Sequence, residues 1–535
     1  MNNFDSKRRD FLRFGSYSVA AAAIPAVPLA AAAQQTESPG TFDVRKYGAT
    51  GDGKTLDTDA VNHAIEAASA AGGGTVVFPQ GTYLCFSIHL KSQVHLQLQQ
   101  GSTILAADSP RPGEQTGYHG GVYDAAEPNT PWEAYQDYGH NHWHNSLLWG
   151  ENLQDISITG PGLIWGKGLS RGSNRYGEGF VAEQPGVGNK AIALKNCHNV
   201  LVRDVSILKA GHFGLLLTGV DNVTLDNLKI DTDRDGIDID CCQNVRVSNC
   251  TVNSPWDDGI CPKSSFALGY ARPTRNVTIA NCWVTGYYVL GTVLDGTFKK
   301  FAPDFRVPRT GRIKFGTESN GGFINMAVSN CIFEGCQGFA LESEDGALLE
   351  DVTITNTTMR DLVSGPIFMR LGSRLRGPKE STKVGTIKRV LISNLNCYNG
   401  PVKVSSILSG IPGYSIEDVK IANVYVQTAG GGTADATPTP EFEAKYPDPG
   451  MFGTTPASGF FLRHVRNLEM SHVEVVNAAP DARPAFYLSE VERADFFAIT
   501  APKDAFALHQ VKDLRIGWSR AAADVSLASV DNKTL

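Results

Sequence analysis

The sequence feature that limits the fold most is a short pattern that returns at a nearly constant interval. Each copy begins with Asn and continues with alternating apolar and polar residues, as in Asn199–Ile207, Asn222–Ile230 and Asn244–Val252. The first residues of these copies are 23 and then 22 residues apart. Repeats of this length predict an all-β fold, a parallel β-helix whose stacked coils share one core. A β-sandwich fits less well, because it needs a turn about every 8–12 residues.

The remaining segments are predicted to cover and flank this helix. Asp57 or Thr58 can cap an alanine-rich helix that ends at Gly72–Gly74, and this helix would cover the apolar first coil. Residues 40–535 are therefore predicted to be one β-helical catalytic domain with an N-terminal capping helix. Loops far longer than a simple connection are usually functional, so the long insertions are predicted to wall a groove. These insertions lie near residues 108–145, 288–310 and 428–458.

The N-terminus has the pattern of an export signal. Lys7–Arg13 contains the arginine pair of a twin-arginine signal, an apolar run spans Val19–Leu29, and Ala30–Ala33 resembles a cleavage region. The run is shorter than the roughly 20 residues of a membrane span. Residues 1–33 are therefore predicted to be a signal peptide, with the twin-arginine export machinery as a transient partner. The protein is expected to be periplasmic or secreted and not bound to a membrane.

Composition excludes some partners. The net charge is −7 and the isoelectric point is near 6.0, whereas a nucleic-acid partner needs a basic surface. Half of the ten cysteines directly follow an asparagine, and none belongs to a Cys-x-x-Cys pair. We expect these cysteines to pack in the core, and we predict no metal and no cofactor.

Acidic residues concentrate in two neighbouring segments. Asp235 lies within the acidic stretch Asp231–Asp240, and the pair Asp257-Asp258 follows 22 residues after Asp235. That interval is one coil, so Asp235 is predicted to lie directly below Asp257, at a spacing of about 4.8 Å. Stacked carboxylates repel, and burial raises the pKa of at least one of them. Such a cluster predicts acid–base chemistry or a cation site.

The chain resembles glycoside hydrolase family 28, the polygalacturonase-like enzymes. The resemblance rests on Phe42–Gly53, on Gly74–Tyr83, and above all on the Asp-Gly-Ile unit at Asp235 followed by Asp257-Asp258. It implies a right-handed parallel β-helix that hydrolyses pectic glycans with inversion. By the same resemblance, Asp257 is the general acid, while Asp235 and Asp258 hold and activate water. An inverting pair is expected to lie about 6.5–9.5 Å apart.

The chain also departs from the family pattern. Asp233-Arg234 stands where the family has Asn-Thr, and there is no Gly-His-Gly; the position of its histidine falls at Tyr288 or Thr310. Arg312-Ile-Lys314 looks like the family's Arg-Ile-Lys. However, it precedes a Gly-Thr-Glu segment, and this order places the true equivalent at Ala340-Leu-Glu342.

These departures leave the substrate open. The subsite that normally holds a uronate either accepts a neutral sugar or uses other cations. The residues predicted to bind substrate are His212, Lys263, Arg312, Lys314, Glu318, Glu342 and Arg370. In addition, Tyr446–Phe452 is interpreted as a segment that closes one end of the groove, and His140, His142 and His144 as groove wall or metal ligands.

The preferred prediction is an inverting, exo-acting hydrolase of α-linked, galacturonate-containing pectic oligo- or polysaccharides. Three alternatives stay open: a rhamnogalacturonan-type hydrolase with a neutral subsite, a calcium-dependent pectate-lyase-like enzyme, and a non-catalytic glycan-binding β-helix. Product absorbance and chelator sensitivity would separate the lyase from the hydrolases.

Overall fold

The computed structural model of the protein describes residues 40–171, 183–435, 440–502 and 504–535. The predicted signal peptide, residues 1–33, lies outside these ranges. Among the described residues, no helix has both the length and the apolar character needed to cross a membrane.

Short strands form the first coils, and three of them fall in each regular turn of the chain. They are β1 (Thr41–Asp43), β2 (Asp52–Leu56), β3 (Gly74–Phe78), β4 (Gly81–Cys85), β5 (Ile88–His89), β6 (Val94–Leu98), β7 (Ser102–Ala106), β8 (Leu148–Glu151), β9 (Gln154–Thr159), β10 (Leu163–Trp165), β11 (Lys190–Lys195), β12 (His198–Arg203), β13 (Ser206–Leu208), β14 (Phe213–Thr218), β15 (Asp221–Asp226), β16 (Lys229–Asp231), β17 (Asp235–Asp240), β18 (Gln243–Ser248) and β19 (Thr251–Asn253).

The strands lengthen toward the C-terminus, where two sides of a coil merge into one strand. They are β20 (Ile260–Lys263), β21 (Thr274–Ala280), β22 (Trp283–Thr285), β23 (Lys314–Phe315), β24 (Phe323–Ser329), β25 (Ile332–Glu334), β26 (Phe339–Ser343), β27 (Leu348–Arg360), β28 (Ile367–Leu371), β29 (Thr386–Gly400), β30 (Ser406–Ser409), β31 (Ile416–Thr428), β32 (Phe460–Asn477), β33 (Phe486–Phe497), β34 (Phe506–Gly517) and β35 (Val525–Thr534). The helices are α1 (Thr58–Ala70) and α2 (Thr292–Asp295), with 3-10 turns at Val44–Tyr47, Glu133–Tyr135 and Pro449–Phe452.

The strands stack in parallel from coil to coil, as the repeat predicts. His198 of β12 pairs with Asp221 of β15, and Asp221 pairs with Gln243 of β18, at offsets of 23 and 22 residues. One sheet holds β5, β8, β11, β14, β17 and β20, and the candidate site lies along its outer face. At the C-terminal end β35 runs antiparallel to β34 and covers the last coil.

The recurring asparagine of the repeat has a physical reason. Asn199, Asn222, Asn244 and Asn276 have φ between 54° and 60°, a left-handed conformation that asparagine tolerates better than most residues. The side-chain amides of Asn222, Asn244 and Asn276 donate to the asparagine one coil earlier (3.2, 3.2 and 2.9 Å), and the amide of Asn199 donates to Asp155 (2.8 Å). The pattern therefore marks a corner of the coil and a ladder that runs along it.

Apolar residues of every coil fill one continuous core. In the described part of the chain all ten cysteines are buried and none forms a disulfide, as expected for core packing. Helix α1 covers the first coil with Val61, Ala64 and Ile65. Asp57 precedes this helix, but its carboxylate accepts hydrogen bonds from the Thr50 and Gly51 amides (2.7 and 3.0 Å) and not from the helix.

Candidate active site

Three aspartates meet at the outer face of the six-stranded sheet. Asp235 begins β17, and Asp257 and Asp258 lie in the turn before β20. One carboxylate oxygen from each lies within 4.8 Å of the other two. Asp235 and Asp258 are buried, whereas the Asp257 side chain is 25% exposed. The sequence therefore predicted the cluster correctly, and Asp257 is its member nearest to solvent.

The predicted stacking of Asp235 under Asp257 is wrong by one residue. Ile237 pairs with Ile260, so the offset between these coils is 23 and Asp235 lies opposite Asp258. The turn before β20 holds one residue more than the coil below. In this turn the Asp258 amide donates to Asp235 Oδ1 (3.2 Å) and to Asp257 Oδ1 (3.1 Å). These hydrogen bonds hold the longer turn against both carboxylates.

The carboxylates are closer together than expected. Their nearest oxygens lie within 4.8 Å, whereas an inverting acid–base pair was predicted to be about 6.5–9.5 Å apart. The side chains of Arg234 on one side of the cluster and of Arg312 and Lys314 on the other side offset the repulsion between the carboxylates. The spacing therefore gives no support for inversion.

Asp258 is held by two buried cations. Arg312 Nε and Lys314 Nζ each donate to one of its carboxylate oxygens at 2.8 Å. Burial alone would raise the pKa of Asp258, but Lys314 and then Arg312 hold it far below its ordinary value. In turn, Asp258 keeps the pKa of Lys314 well above normal, against the effect of burial. Asp258 is therefore ionised throughout the neutral range.

The structure also settles the register of these cations. Lys314 pairs with Ala340 of the next coil, so Ala340–Glu342 lies one coil beyond Arg312–Lys314, as predicted. Ala340 packs with Phe368 and Phe452 in a covered apolar cluster. Arg312 and Lys314 thus lie in the site, but they contact Asp258 and form no separate basic subsite.

The structure distinguishes Thr310 from Tyr288, the two candidate positions for the histidine of the family's Gly-His-Gly motif. The Thr310 amide donates to the Pro255 carbonyl (3.2 Å) and the Gly311 amide to the Asp257 carbonyl (2.8 Å), so this segment stacks directly on the aspartate turn. Tyr288 instead donates from its hydroxyl to Glu334, at 2.9 Å. Thr310 therefore occupies the coil position next to the aspartates.

Lys263 links two further buried acids beside the cluster. Its Nζ lies 3.4 Å from Glu318 Oε2 and 3.9 Å from Asp238 Oδ2. Burial would raise the pKa of Glu318, but Lys263 holds it well below normal. Burial raises the pKa of Asp238 to about 8, although Lys263 opposes this shift. Neither oxygen of Asp238 accepts a hydrogen bond from the described residues.

This burial gives a first prediction, for Asp238→Asn. The folded protein keeps the Asp238 proton between about pH 4 and 8, while the unfolded chain has released it, so stability falls as pH rises through this window. We expect the Asn variant to lose that contribution, roughly 1.4 kcal/mol per pH unit. Denaturant unfolding at several pH values measures it, with the exposed Asp304→Asn as control. Parallel pH dependences of wild type and Asp238→Asn would contradict it.

Glu342 lies on the far side of Arg312. Its Oε1 is 3.9 Å from Arg312 Nη2, and neither carboxylate oxygen has a hydrogen-bond partner among the described residues. Burial raises its pKa to about 7, against the pull of Lys314 and Arg312. Glu344, one step further along, is equally buried and its pKa is raised well above normal by burial. This side of the site is therefore rich in carboxyl groups.

The insertion that spans residues 107–147 packs against the coils on the N-terminal side of the aspartates. His140 lies against Phe213 with ring centroids 5.0 Å apart, and His212 stacks on the same ring at 4.1 Å. Phe213, rather than His212, is the register partner of Asp235. Burial lowers the pKa of His212 well below its ordinary value. His212 thus belongs to a packed wall next to the aspartates.

The three loop histidines have different partners, and only His144 belongs to a group that could hold a metal ion, together with Glu127 and Glu151, among the described residues. His140 faces Phe213, His142 Nε2 lies 3.1 Å from Glu133, and His144 Nε2 lies 3.2 Å from Glu151. Their side chains therefore serve different contacts along the wall.

Described residues of the insertion after β31 contact the coils on the C-terminal side of the aspartates. Arg370 is fully buried and donates to the carbonyls of Glu441 (3.0 Å) and Phe442 (3.2 Å). Further along, the Thr317 hydroxyl donates to the Tyr446 hydroxyl over 3.1 Å. Arg370 was predicted to bind substrate, but its contacts anchor this loop two coils beyond Lys314.

Sequence reasoning noted Arg234 only as a departure from the family pattern. Its Nη2 and Nε donate to Asp257 Oδ2 at 2.7 and 3.1 Å, and its Nη1 donates to the Arg171 carbonyl. The Arg171 guanidinium lies 2.9 Å from Asp233. The dipeptide Asp233-Arg234 is therefore part of the site. In the sequence, its only mark was that it replaces the Asn-Thr of the family pattern.

Comparison with known proteins agrees with this architecture. A family model described as right handed beta helix region matches residues 186–375, and one described as rhamnogalacturonase A/epimerase, pectate lyase-like matches residues 41–110. A probable polygalacturonase from Vitis vinifera is 22% identical over 72% of this chain and 73% of its own length. An exo-poly-alpha-D-galacturonosidase from Dickeya chrysanthemi is 24% identical over 63% of this chain and 58% of its own length, less than two thirds of that protein.

A solved structure shows the same fold. The family 28 exopolygalacturonase of Yersinia enterocolitica superimposes with a TM-score of 0.60 at 18% identity, covering 87% of this chain and 79% of that one. Fold and site together define a right-handed parallel β-helix protein with a carboxylate cluster on the outer face of one sheet. Within that class the chain is similar to polygalacturonases and exopolygalacturonases.

Proposed function

We propose that the protein hydrolyses α-linked galacturonate-containing pectic oligosaccharides, with Asp257 as general acid and Asp235 and Asp258 holding the attacking water. The observation that carries the proposal is the meeting of these three carboxylates within 4.8 Å at a partly exposed position. Asp257 protonates the leaving oxygen as the glycosidic bond breaks. Water then adds to the anomeric carbon and gives its proton to the Asp235–Asp258 side.

The charges around the cluster favour hydrolysis over calcium-dependent elimination. Asp257 is paired with Arg234, and Asp258 is paired with Arg312 and Lys314. A divalent cation binds carboxylates that are free to coordinate it, and three neighbouring cations oppose such binding. Chelator treatment should therefore leave the activity unchanged, and the products should lack the absorbance of an unsaturated uronate.

Two walls support exo-action. The His140–Phe213 contact lies one coil before Asp235, and the loop that contains Tyr446 contacts Thr317 beyond Lys314, so we propose that the two insertions bound the substrate groove. A groove closed at both ends admits a chain terminus more readily than the middle of a polymer. The Dickeya and Yersinia relatives carry exo names, which agrees with this geometry.

The second candidate substrate has a neutral sugar on the leaving side. Ala340 and Glu342 occupy the register positions where the resemblance implies cations, and Glu342 places a carboxyl group beside Arg312. A carboxyl group accepts hydrogen bonds from sugar hydroxyls but repels a second uronate. Since both side chains are buried, the rhamnose–galacturonate candidate rests on the lack of a cation at these two positions and not on a contact between Glu342 and the sugar.

One experiment tests mode and substrate together. Incubation with oligogalacturonate and with rhamnogalacturonan oligosaccharides should release one sugar residue at a time and leave chains that are one residue shorter. Polymer viscosity should stay nearly constant during this release. Product sizing by chromatography measures both effects. Early products of many lengths would contradict exo-action, and a strong preference for homogalacturonan would contradict the neutral subsite.

We also propose export to the periplasm or beyond the cell. The support is the sequence of the N-terminal segment, Lys7–Arg13 followed by an apolar run and small residues. A pectic substrate outside the cytoplasm agrees with such an export signal.

A further inference from the structure

We infer that Arg234 binds the uronate of the sugar being cleaved, and that this exchange frees Asp257 to carry the catalytic proton. The inference rests on the proposed function and extends it to the substrate group that the site recognises. It concerns the sugar on the cleaved side, so it holds whether the leaving sugar is neutral or a uronate.

The first observation is the contact itself. Arg234 offers Nε and Nη2 to one oxygen of Asp257, at 3.1 and 2.7 Å. A general acid has to be protonated when it acts, whereas a guanidinium at this distance favours the ionised carboxylate. The contact with Arg234 therefore opposes the proton donation that the proposed role of Asp257 requires.

The second observation is access. The side chains of Arg234 and Asp257 are 17% and 25% exposed, whereas those of Arg312 and Lys314 are 3% exposed and committed to Asp258. Arg234 is thus the cation of the cluster that an incoming carboxylate can reach. A guanidinium fork also matches a carboxylate in shape and charge.

The third observation is the set of acids that face Asp257. These are Asp235 and Asp238 from β17 and Asp258 from its own turn, and Asp258 is already neutralised by Arg312 and Lys314. Burial first, and then Asp257, raise the pKa of Asp235 well above normal. Asp235 is therefore the member of the pair that holds a proton more readily, while Asp257 stays in contact with the Arg234 guanidinium.

Transfer of the Arg234 contact from Asp257 to the substrate carboxylate explains how Asp257 can act as the acid and Asp235 as the base. When the substrate carboxylate takes the Arg234 guanidinium, Asp257 loses its counter-charge and gains the proton that Asp235 held. Asp235 is then ionised and accepts a proton from water, while Asp257 gives its proton to the leaving oxygen. One proton is thus moved within the pair, and no group outside the substrate and the site is needed.

The test compares Arg234→Gln and Arg234→Lys with wild type on trigalacturonate and on its methyl ester. For Arg234→Gln we expect kcat/KM on the free acid to fall roughly 10- to 100-fold, and on the ester to stay within about threefold. The basic limb of the kcat/KM profile should move up by about one pH unit, because the carboxyl pair keeps its proton longer. Arg234→Lys should keep the wild-type limb.

The surface variant Arg389→Gln, on a distant exposed ion pair, serves as the control for general effects of losing an arginine. Equal losses on acid and ester with an unmoved basic limb would overturn the inference and leave Arg234 as a support for Asp257. Wild type is measured first: if it releases no galacturonate, the proposed function itself fails. If the wild type is active and Arg234→Gln has the same kcat/KM as wild type on the free acid, the inference fails but the proposed function stands.

Discussion

Asp257→Asn should lower kcat about 10²- to 10⁴-fold on a galacturonate oligosaccharide, with little change in KM. The amide keeps the size of the side chain but has no proton to give to the leaving oxygen. Since Asp257 is the partly exposed member of the cluster, its replacement should change the melting temperature only slightly. Reducing-sugar kinetics and thermal unfolding measure the two quantities.

The matched control for this variant is Asp351→Asn, an exposed aspartate whose ion pair with Arg389 lies outside the groove. It should retain wild-type kcat. If Asp257→Asn retained more than about a tenth of the wild-type rate while folded, the assignment of the general acid would be wrong.

Asp258→Asn should damage both stability and activity. It removes the only carboxylate within 3 Å of Arg312 and Lys314 among the described residues, and both cations are almost fully buried. Removing one partner of a buried ion pair costs about 3–5 kcal/mol, because the remaining charges stay desolvated. We therefore expect a large drop in the free energy of unfolding, measured in denaturant, together with loss of turnover.

A second substitution separates the two effects. Asp258→Asn combined with Lys314→Met removes one of the two orphaned cations and should recover part of the stability without recovering activity. An unchanged unfolding free energy in Asp258→Asn would show that the ion pairs contribute nothing, and it would remove the account of how Asp258 stays ionised.

The sequence was informative wherever a residue type had a local reason. The asparagine at each corner follows from a left-handed backbone and a side-chain ladder, so the repeat revealed both the fold and its period. The three aspartates were found through a motif that carries chemistry. Helix α1 followed from its alanine-rich face and its flanking residues.

The errors have a common physical origin in the turns. A single extra residue before β20 moved the partner of Asp235 from Asp257 to Asp258, and counting residues cannot reveal where a turn widens. The direction of a long cationic side chain is set by its packed neighbours. For this reason the sequence did not reveal that Arg312 and Lys314 contact Asp258 or that Arg370 anchors a loop, and their predicted substrate contacts stay predictions.

Arg234 is a residue whose importance the sequence indicated but whose contact it could not predict. The dipeptide Asp233-Arg234 was visible as a departure, but only the fold shows that the guanidinium reaches Asp257 on the next coil. A substitution inside a catalytic motif is thus a signal of altered chemistry, even when its direction is unknown.

The most direct test of the proposed hydrolase is proton NMR of the first product formed from trigalacturonate. The account predicts a saturated galacturonate with a free reducing end, and an inverting mechanism predicts that its β-anomer appears first. A 4,5-unsaturated uronate, or no product from the folded wild-type protein, would contradict the central claim of hydrolysis at the three aspartates.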